Sequence, residues 1–256
     1  MPSFEDLCAQ AEAIASEIEK LAAQLQRSAI AMKKAAREGN PTKIRQGATQ
    51  VDEAAVQTQQ IQNTAARAWP LSDAELTELL KGPYVEQLIQ AAGVAGVSLS
   101  RLDNCLAAFP VILQVQAEAR AVKLDNVRLT SLRPAIIIER VRAAQKKARS
   151  QPEKFIEVLH KAYRLVVGPE SDQGTTLIAV YEALTLLPDA RKTYGKPEFA
   201  RDVYELDSSG LKQTSSGMQL TLPAATGTRS KGDTLSIVSP DGMPKYYYGI
   251  RFERPA

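Results

Sequence analysis

The first forty residues constrain the fold more than any other stretch. Phe4, Leu7, Ala11, Ile14, Ile18, Leu21, Leu25, Ser28 and Met32 recur at spacings of three and four without a break. That is an a/d heptad seam, which only a long helix presents on one face. Ser3, with Asp6 three residues later, forms a capping-box signature for its start. Gly39-Asn40-Pro41 supplies its stop, because Gly and Asn suit a C-cap and proline cannot continue the helix. A helix from Ser3 to Glu38 would be on the order of 50 Å long.

A second helix is predicted from Thr42 to Trp69. Its seam is poorer: Ile44, Gly47, Val51, Ala54, Thr58, Ile61, Ala65 and Ala68. Small residues permit close approach, and the short connection predicts an antiparallel helical hairpin, or coiled coil, over residues 1–70. The first seam is richer than the returning arm can cover. Phe4, Leu7, Ile14, Ile18, Leu21 and Leu25 are therefore the candidate partner-binding residues, toward a second copy or another protein.

Residues 71–190 read as a helical domain. Ser72 and Glu75 form a second capping box. Helices are expected near 84–92, 99–109, 110–124, 133–149, 153–167 and 174–187, with Pro110, Pro134 and Pro152 as first-turn prolines. Residues 191–256 change character. After a short helix containing Phe199, Val203 and Leu206, the apolar period becomes two. Met218, Leu220 and Leu222 mark one strand, and Leu235 and Ile237 a second. In a third, Tyr246, Tyr248, Ile250 and Phe252 would face inward and Tyr247 outward. The expected class is mainly α with a small C-terminal antiparallel β-sheet.

Several function classes lose their raw material here. His160 is the only histidine, so a multi-histidine metal site is absent and a nucleophile–histidine pair has a single candidate in an ordinary helical context. Cys8 and Cys105 are the only cysteines, which fits reduced thiols in a cytoplasmic chain. No phosphate-loop, dinucleotide or zinc-protease pattern occurs, and no cofactor is expected. The start lacks a signal-peptide pattern, and no apolar run is long enough for a membrane span.

Cationic clusters are the remaining leads. Residues 133–149 hold Arg133, Arg140, Arg142, Lys146, Lys147 and Arg149 against Glu139 alone. On a helix, Arg142, Lys146 and Arg149 would form one stripe able to track phosphates. The hairpin tip holds Lys33, Lys34, Arg37, Lys43 and Arg45 against Glu38. The loop Thr226–Gly232 carries Arg229 and Lys231. As the tip of a β-hairpin it would be the wing of a winged-helix-like part, with Arg201 facing a duplex. A metal-dependent nuclease would have to be built from Asp202, Glu205 and Asp207, with Asp241 and Lys245 nearby.

The expectation is a non-enzymatic adaptor subunit, of the kind found in bacterial DNA-handling or defence complexes. It would associate through its hairpin and contact DNA or RNA through basic patches. A purely structural oligomerisation scaffold and a nuclease are the alternatives.

Overall fold

Both ends of the first helix follow from their side chains. In the computed structural model, which describes residues 3–65, 68–148, 150–223 and 234–254, helix α1 runs Phe4–Arg37. The Asp6 amide donates to Ser3 Oγ at 3.1 Å and the Ser3 amide to Asp6 Oδ2 at 3.1 Å, so two orphan donors of the first turn are satisfied. Gly39 turns the chain with φ +67°, a conformation that favours glycine. The Lys43 amide then donates to Asn40 Oδ1 at 3.1 Å, which caps α2 (Pro41–Ala65).

The chain divides into two compact units, Met1–Gln87 and Leu88–Ala256. In the first, α2 packs back along α1 through small residues. Ser28, Ala35, Gly47 and Ala54 are all buried. A Cβ on Gly47 would fall 2.9 Å from Met32 Cβ, so the backbones meet where only glycine fits. Helix α3 (Asp73–Lys81) starts on the Ser72–Glu75 capping box, and α4 (Pro83–Val94) follows. Phe4 is clamped edge-on by Trp69 and Tyr84, with ring centroids at 5.5 and 5.6 Å. The Phe4 amide donates to Gln87 Oε1 at 2.8 Å.

The second unit opens with a five-stranded antiparallel meander: β1 (Ser100–Leu102), β2 (Cys105–Ala108), β3 (Val111–Gln116), β4 (Ala121–Leu124) and β5 (Val127–Leu129). The helices expected over 99–109 and 110–124 are therefore wrong, and the middle of the chain is not wholly helical. Ala, Leu and Gln give this stretch helical propensity, but turn chemistry and burial on both faces override it. The dipeptide Asp-Asn recurs at 103–104 and 125–126, each between directly paired residues, Leu102↔Cys105 and Leu124↔Val127. Asp103 and Asp125 take φ of 49° and 46°, as two-residue hairpins require. Every residue of β2 is buried. Pro110 lies in the β2–β3 turn and opens no helix.

Then come α5 (Pro134–Lys147), α6 (Pro152–Val167), β6 (Thr175–Thr176), α7 (Leu177–Leu184), the short α8 (Ala190–Thr193), α9 (Lys196–Ser209), β7 (Gln219–Thr221), β8 (Leu235–Val238), β9 (Pro244–Tyr247) and β10 (Gly249–Glu253). Pro134 and Pro152 do start helices, where their missing N–H costs nothing. Strand β10 pairs with β6 and β7, and β8 pairs with β9. One hydrophobic core joins the meander (Leu102, Ile112), α6 (Leu159, Tyr163), α7 (Val180), α9 (Phe199, Val203) and the C-terminal strands (Ile237, Ile250, Phe252).

Two strand expectations change. Strands β7 and β8 flank residues 224–233 but pair with β10 and β9, not with each other. Among the described residues no hairpin joins β7 to β8, and Arg229 and Lys231, on which the wing expectation rests, lie outside the described residues. The tyrosine phase is also inverted. Tyr247 is buried at 9% exposure and Tyr246 is 58% exposed. The chain breaks pairing at Tyr248, between β9 and β10, so alternation does not carry through.

Candidate functional site

Helix α5 presents a cationic surface on a helix whose other face is buried. Pro134, Ile137, Ile138 and Val141 bury one face. Gln145 Nε2 donates to the carbonyls of Ala108 and Phe109 at 3.1 and 3.0 Å, which ties the helix to the β2–β3 turn. Arg140, Arg142, Lys146 and Lys147 are all exposed. At about 100° per residue, Arg142 and Lys146 form one row and Arg140 and Lys147 another, roughly 130° apart around the axis. Ala143 and Glu139 lie between them. The predicted stripe through Arg149 is corrected here. The helix ends at Lys147, Ala148 is extended, and Arg149 lies outside the described residues.

The hairpin carries the second surface. Lys33, Lys34 and Arg37 are exposed near the tip. Lys34 approaches Glu38 at 4.0 Å with its side chain 78% exposed, an ion pair of little energetic weight. Of the candidate partner-binding residues, Phe4 and Leu7 are buried within their own unit. Ile14, Leu21 and Leu25 stay half-exposed although α2 is already in place, and Ile18 is 37% exposed. A monomeric hairpin therefore leaves the middle of the α1 seam open to water.

The third feature is a cavity of about 540 Å³ in the second unit, between α6, α9 and the ends of α7 and α8. Phe155, Val158 and Leu184 form its apolar side, and Tyr194, Arg201, Asp202 and Glu205 its polar wall. Tyr194 Oη donates to Asp202 Oδ2 at 2.7 Å, and Arg201 Nε to Asp202 Oδ1 at 3.0 Å. Arg201 Nη1 also reaches Asp125 Oδ1 at 3.2 Å and the Pro110 carbonyl at 3.3 Å. Burial pushes the Tyr194 hydroxyl up, and Asp202 beside it adds to that shift. Burial also raises the Glu205 carboxyl, against a hydrogen bond from Ser150.

This network corrects two expectations. Arg201 does not face a duplex, since its guanidinium is spent on two carboxylates and a carbonyl. Nor do the named acids all converge: Asp202 and Glu205 share the cavity wall, and Asp207 and Asp241 are held elsewhere. Asp202 accepts from Tyr194 and Arg201, while Asp207 accepts from Tyr247 Oη at 2.9 Å. Asp241 sits in the β8–β9 turn and accepts from the Ser239 hydroxyl. Among the described residues, no group of three His, Cys, Asp or Glu side chains is placed to hold a metal ion.

His160 serves packing. Its ring lies 4.8 Å from that of Phe252, and its Nε2 accepts from Arg164 Nε at 3.2 Å. Burial first, and the Arg164 charge second, hold its pKa below the ordinary imidazole value. Among the described residues, no helix is long and apolar enough to cross a membrane. No family model, curated protein or solved structure matches this chain.

Proposed function

We propose that this protein is a non-catalytic adaptor of the cytoplasm, docking through its N-terminal hairpin and contacting nucleic acid with the exposed face of α5. The observation that carries the reading is the α5 face itself. Four cations, Arg140, Arg142, Lys146 and Lys147, stand exposed on a helix whose opposite side is locked into the core. Two cationic rows on either side of Ala143 and the lone acid Glu139 suit separate backbone phosphates rather than a single anion. The open α1 seam supports the docking half of the proposal.

Duplex binding measured by fluorescence anisotropy tests it. If each of the four cations neutralises one phosphate, log affinity falls with log salt at a slope of about −3.6. Moving from about 50 to about 200 mM salt then weakens binding roughly 150-fold. Replacing all four by alanine should abolish both the binding and the slope. Absence of salt-dependent binding to duplex and single-stranded DNA and to RNA, or a quadruple variant that binds like the parent, rejects the nucleic-acid role. The alternative of a purely structural scaffold would then stand, because it needs only the α1 seam.

A further inference from the structure

The cavity between α6 and α9 joins two helix faces of different character. On α9, Arg201 and Glu205 stand one turn apart, opposite the buried Phe199, Val203 and Leu206, with Asp202 beside them. On α6, Phe155 and Val158 flank the buried face, and Leu184 ends α7. Val158 is 47% exposed, and Phe155 and Leu184 are half-buried, so the apolar side of the cavity meets water.

The charges of the polar wall do not balance. The Arg201 guanidinium lies 3.0 Å from Asp202 and 3.2 Å from Asp125, and it also donates to the Pro110 carbonyl. These contacts hold it in place and set two carboxylates against one cation. The second Asp202 oxygen accepts from Tyr194 Oη at 2.7 Å. Glu205 has the Ser150 hydroxyl as its hydrogen-bond donor, and among the described residues no cation pairs with it. Burial pushes its carboxyl above the ordinary value, as expected of a negative charge taken partly out of water without a counter-ion. Lys154 also lines the cavity, but it is exposed, where water and salt screen its charge. The volume, about 540 Å³, is that of a small-molecule site, typically about 300–1,000 Å³. So is the make-up, an apolar side facing a few convergent polar groups.

We propose that this cavity binds an organic amine, its ammonium donating to Glu205 and its aromatic or aliphatic body lying against Phe155, Val158 and Leu184. The ammonium supplies the counter-ion that the wall lacks, through a charge-assisted hydrogen bond. Arg201 cannot supply it, because swinging toward Glu205 would strand Asp125 and Asp202. An organic acid of the same shape would face both Asp202 and Glu205 and find a cation only in the exposed Lys154. The site goes beyond the adaptor reading and uses none of the four α5 cations, so either can fail without the other.

Tryptamine and indole-3-propionate share a ring and differ in the charge of their tail. The full chain, labelled at its leucine and valine methyl groups, is titrated with each and followed by NMR. Tryptamine should shift the Leu184 and Val158 signals and saturate with a dissociation constant of about 1 mM or below. Indole-3-propionate should bind at least about tenfold more weakly. Glu205→Gln keeps the shape and removes the charge; it should weaken tryptamine at least about tenfold and bring the two probes within about threefold of each other. Val158→Lys puts a positive charge on the apolar side at an exposed position, and it should weaken tryptamine as read at Leu184. That variant keeps the test decisive if Glu205→Gln does not fold. Shifts that miss Leu184 and Val158, equal binding of the two probes, or tighter binding of the acid would each overturn the proposal. So would tryptamine that fails to saturate by about 10 mM, or a folded variant of either kind that holds it as the parent does.

Discussion

Replacing Gly47 by alanine sets helix propensity against packing, and the sign of the result decides between them. Alanine is favoured over glycine inside a helix by about 1 kcal/mol. At Gly47 the new methyl would sit 2.9 Å from Met32 Cβ and 3.3 Å from Met32 Cα, and the second of these is backbone. Helix α1 must then move, and overpacking of this kind costs about 1–3 kcal/mol. The net expectation is a loss of about 0–2 kcal/mol. Gly93, near the end of α4, is the control, because nothing lies within 4 Å of a Cβ built there. Its alanine variant should gain up to about 1 kcal/mol. Urea titration followed by circular dichroism measures both changes. Native-state hydrogen exchange at Val51 and Ala54 confines the first to the hairpin. If Gly47→Ala and Gly93→Ala stabilise alike, the helices do not meet through backbone at this point, and the small-residue account of the hairpin is wrong.

Asp125 is the next position to test. It accepts from the Ile112 amide at 3.1 Å, pairs with Arg201 at 3.2 Å and takes positive φ in the β4–β5 turn. Asp125→Ala should cost about 3 kcal/mol, part of the ion-pair contribution being discounted for exposure, and Asp125→Asn about 1 kcal/mol, since asparagine keeps the turn and the acceptor. Equal losses would remove the turn from the explanation. His160 is held neutral, with its folded pKa below the unfolded value of 6.5. Its unfolded form therefore binds a proton first as pH falls, so stability should decline below about pH 6.5. Urea midpoints at pH 7.5 and 5.5 should differ less in His160→Gln than in the parent. The Cys105 thiol is pushed up to about 12, chiefly by burial. Iodoacetamide at neutral pH should modify it only in denaturant, and rapid labelling of the native chain would contradict the burial.

Local chemistry announced the hairpin more clearly than anything else in the chain. Ser3–Asp6, Asn40–Pro41 and Ser72–Glu75 act within four residues of themselves, so neighbouring sequence states their role fully. The meander could not be found that way, because Cys105–Ala108 and Val111–Gln116 carry helical composition and become strands only by pairing with each other. A local signal was present nonetheless. The repeated Leu-Asp-Asn at 102–104 and 124–126 is hairpin-turn chemistry twice over. The cationic face of α5 was readable because core and surface alternate with the helical period. The anchoring of Arg201 was not, since Asp125 and Arg201 are 76 residues apart and meet only in the folded chain. The tyrosine run misled for a related reason: alternation assumes one continuous strand, and the chain steps from one sheet to another at Tyr248.

The shared core of the second unit has a practical consequence for dividing this molecule. Side chains from Leu102 to Phe252 fill a single interior. A cut near residue 190, where the composition shifts toward strands, would strip α6 and α7 of Phe199, Ile250 and Phe252 and leave both fragments with wet apolar faces. Fragments ending there should aggregate or remain unfolded, however natural the boundary looks on paper. Experiments that need the globular part without the hairpin must keep everything from α4 to β10 in one piece.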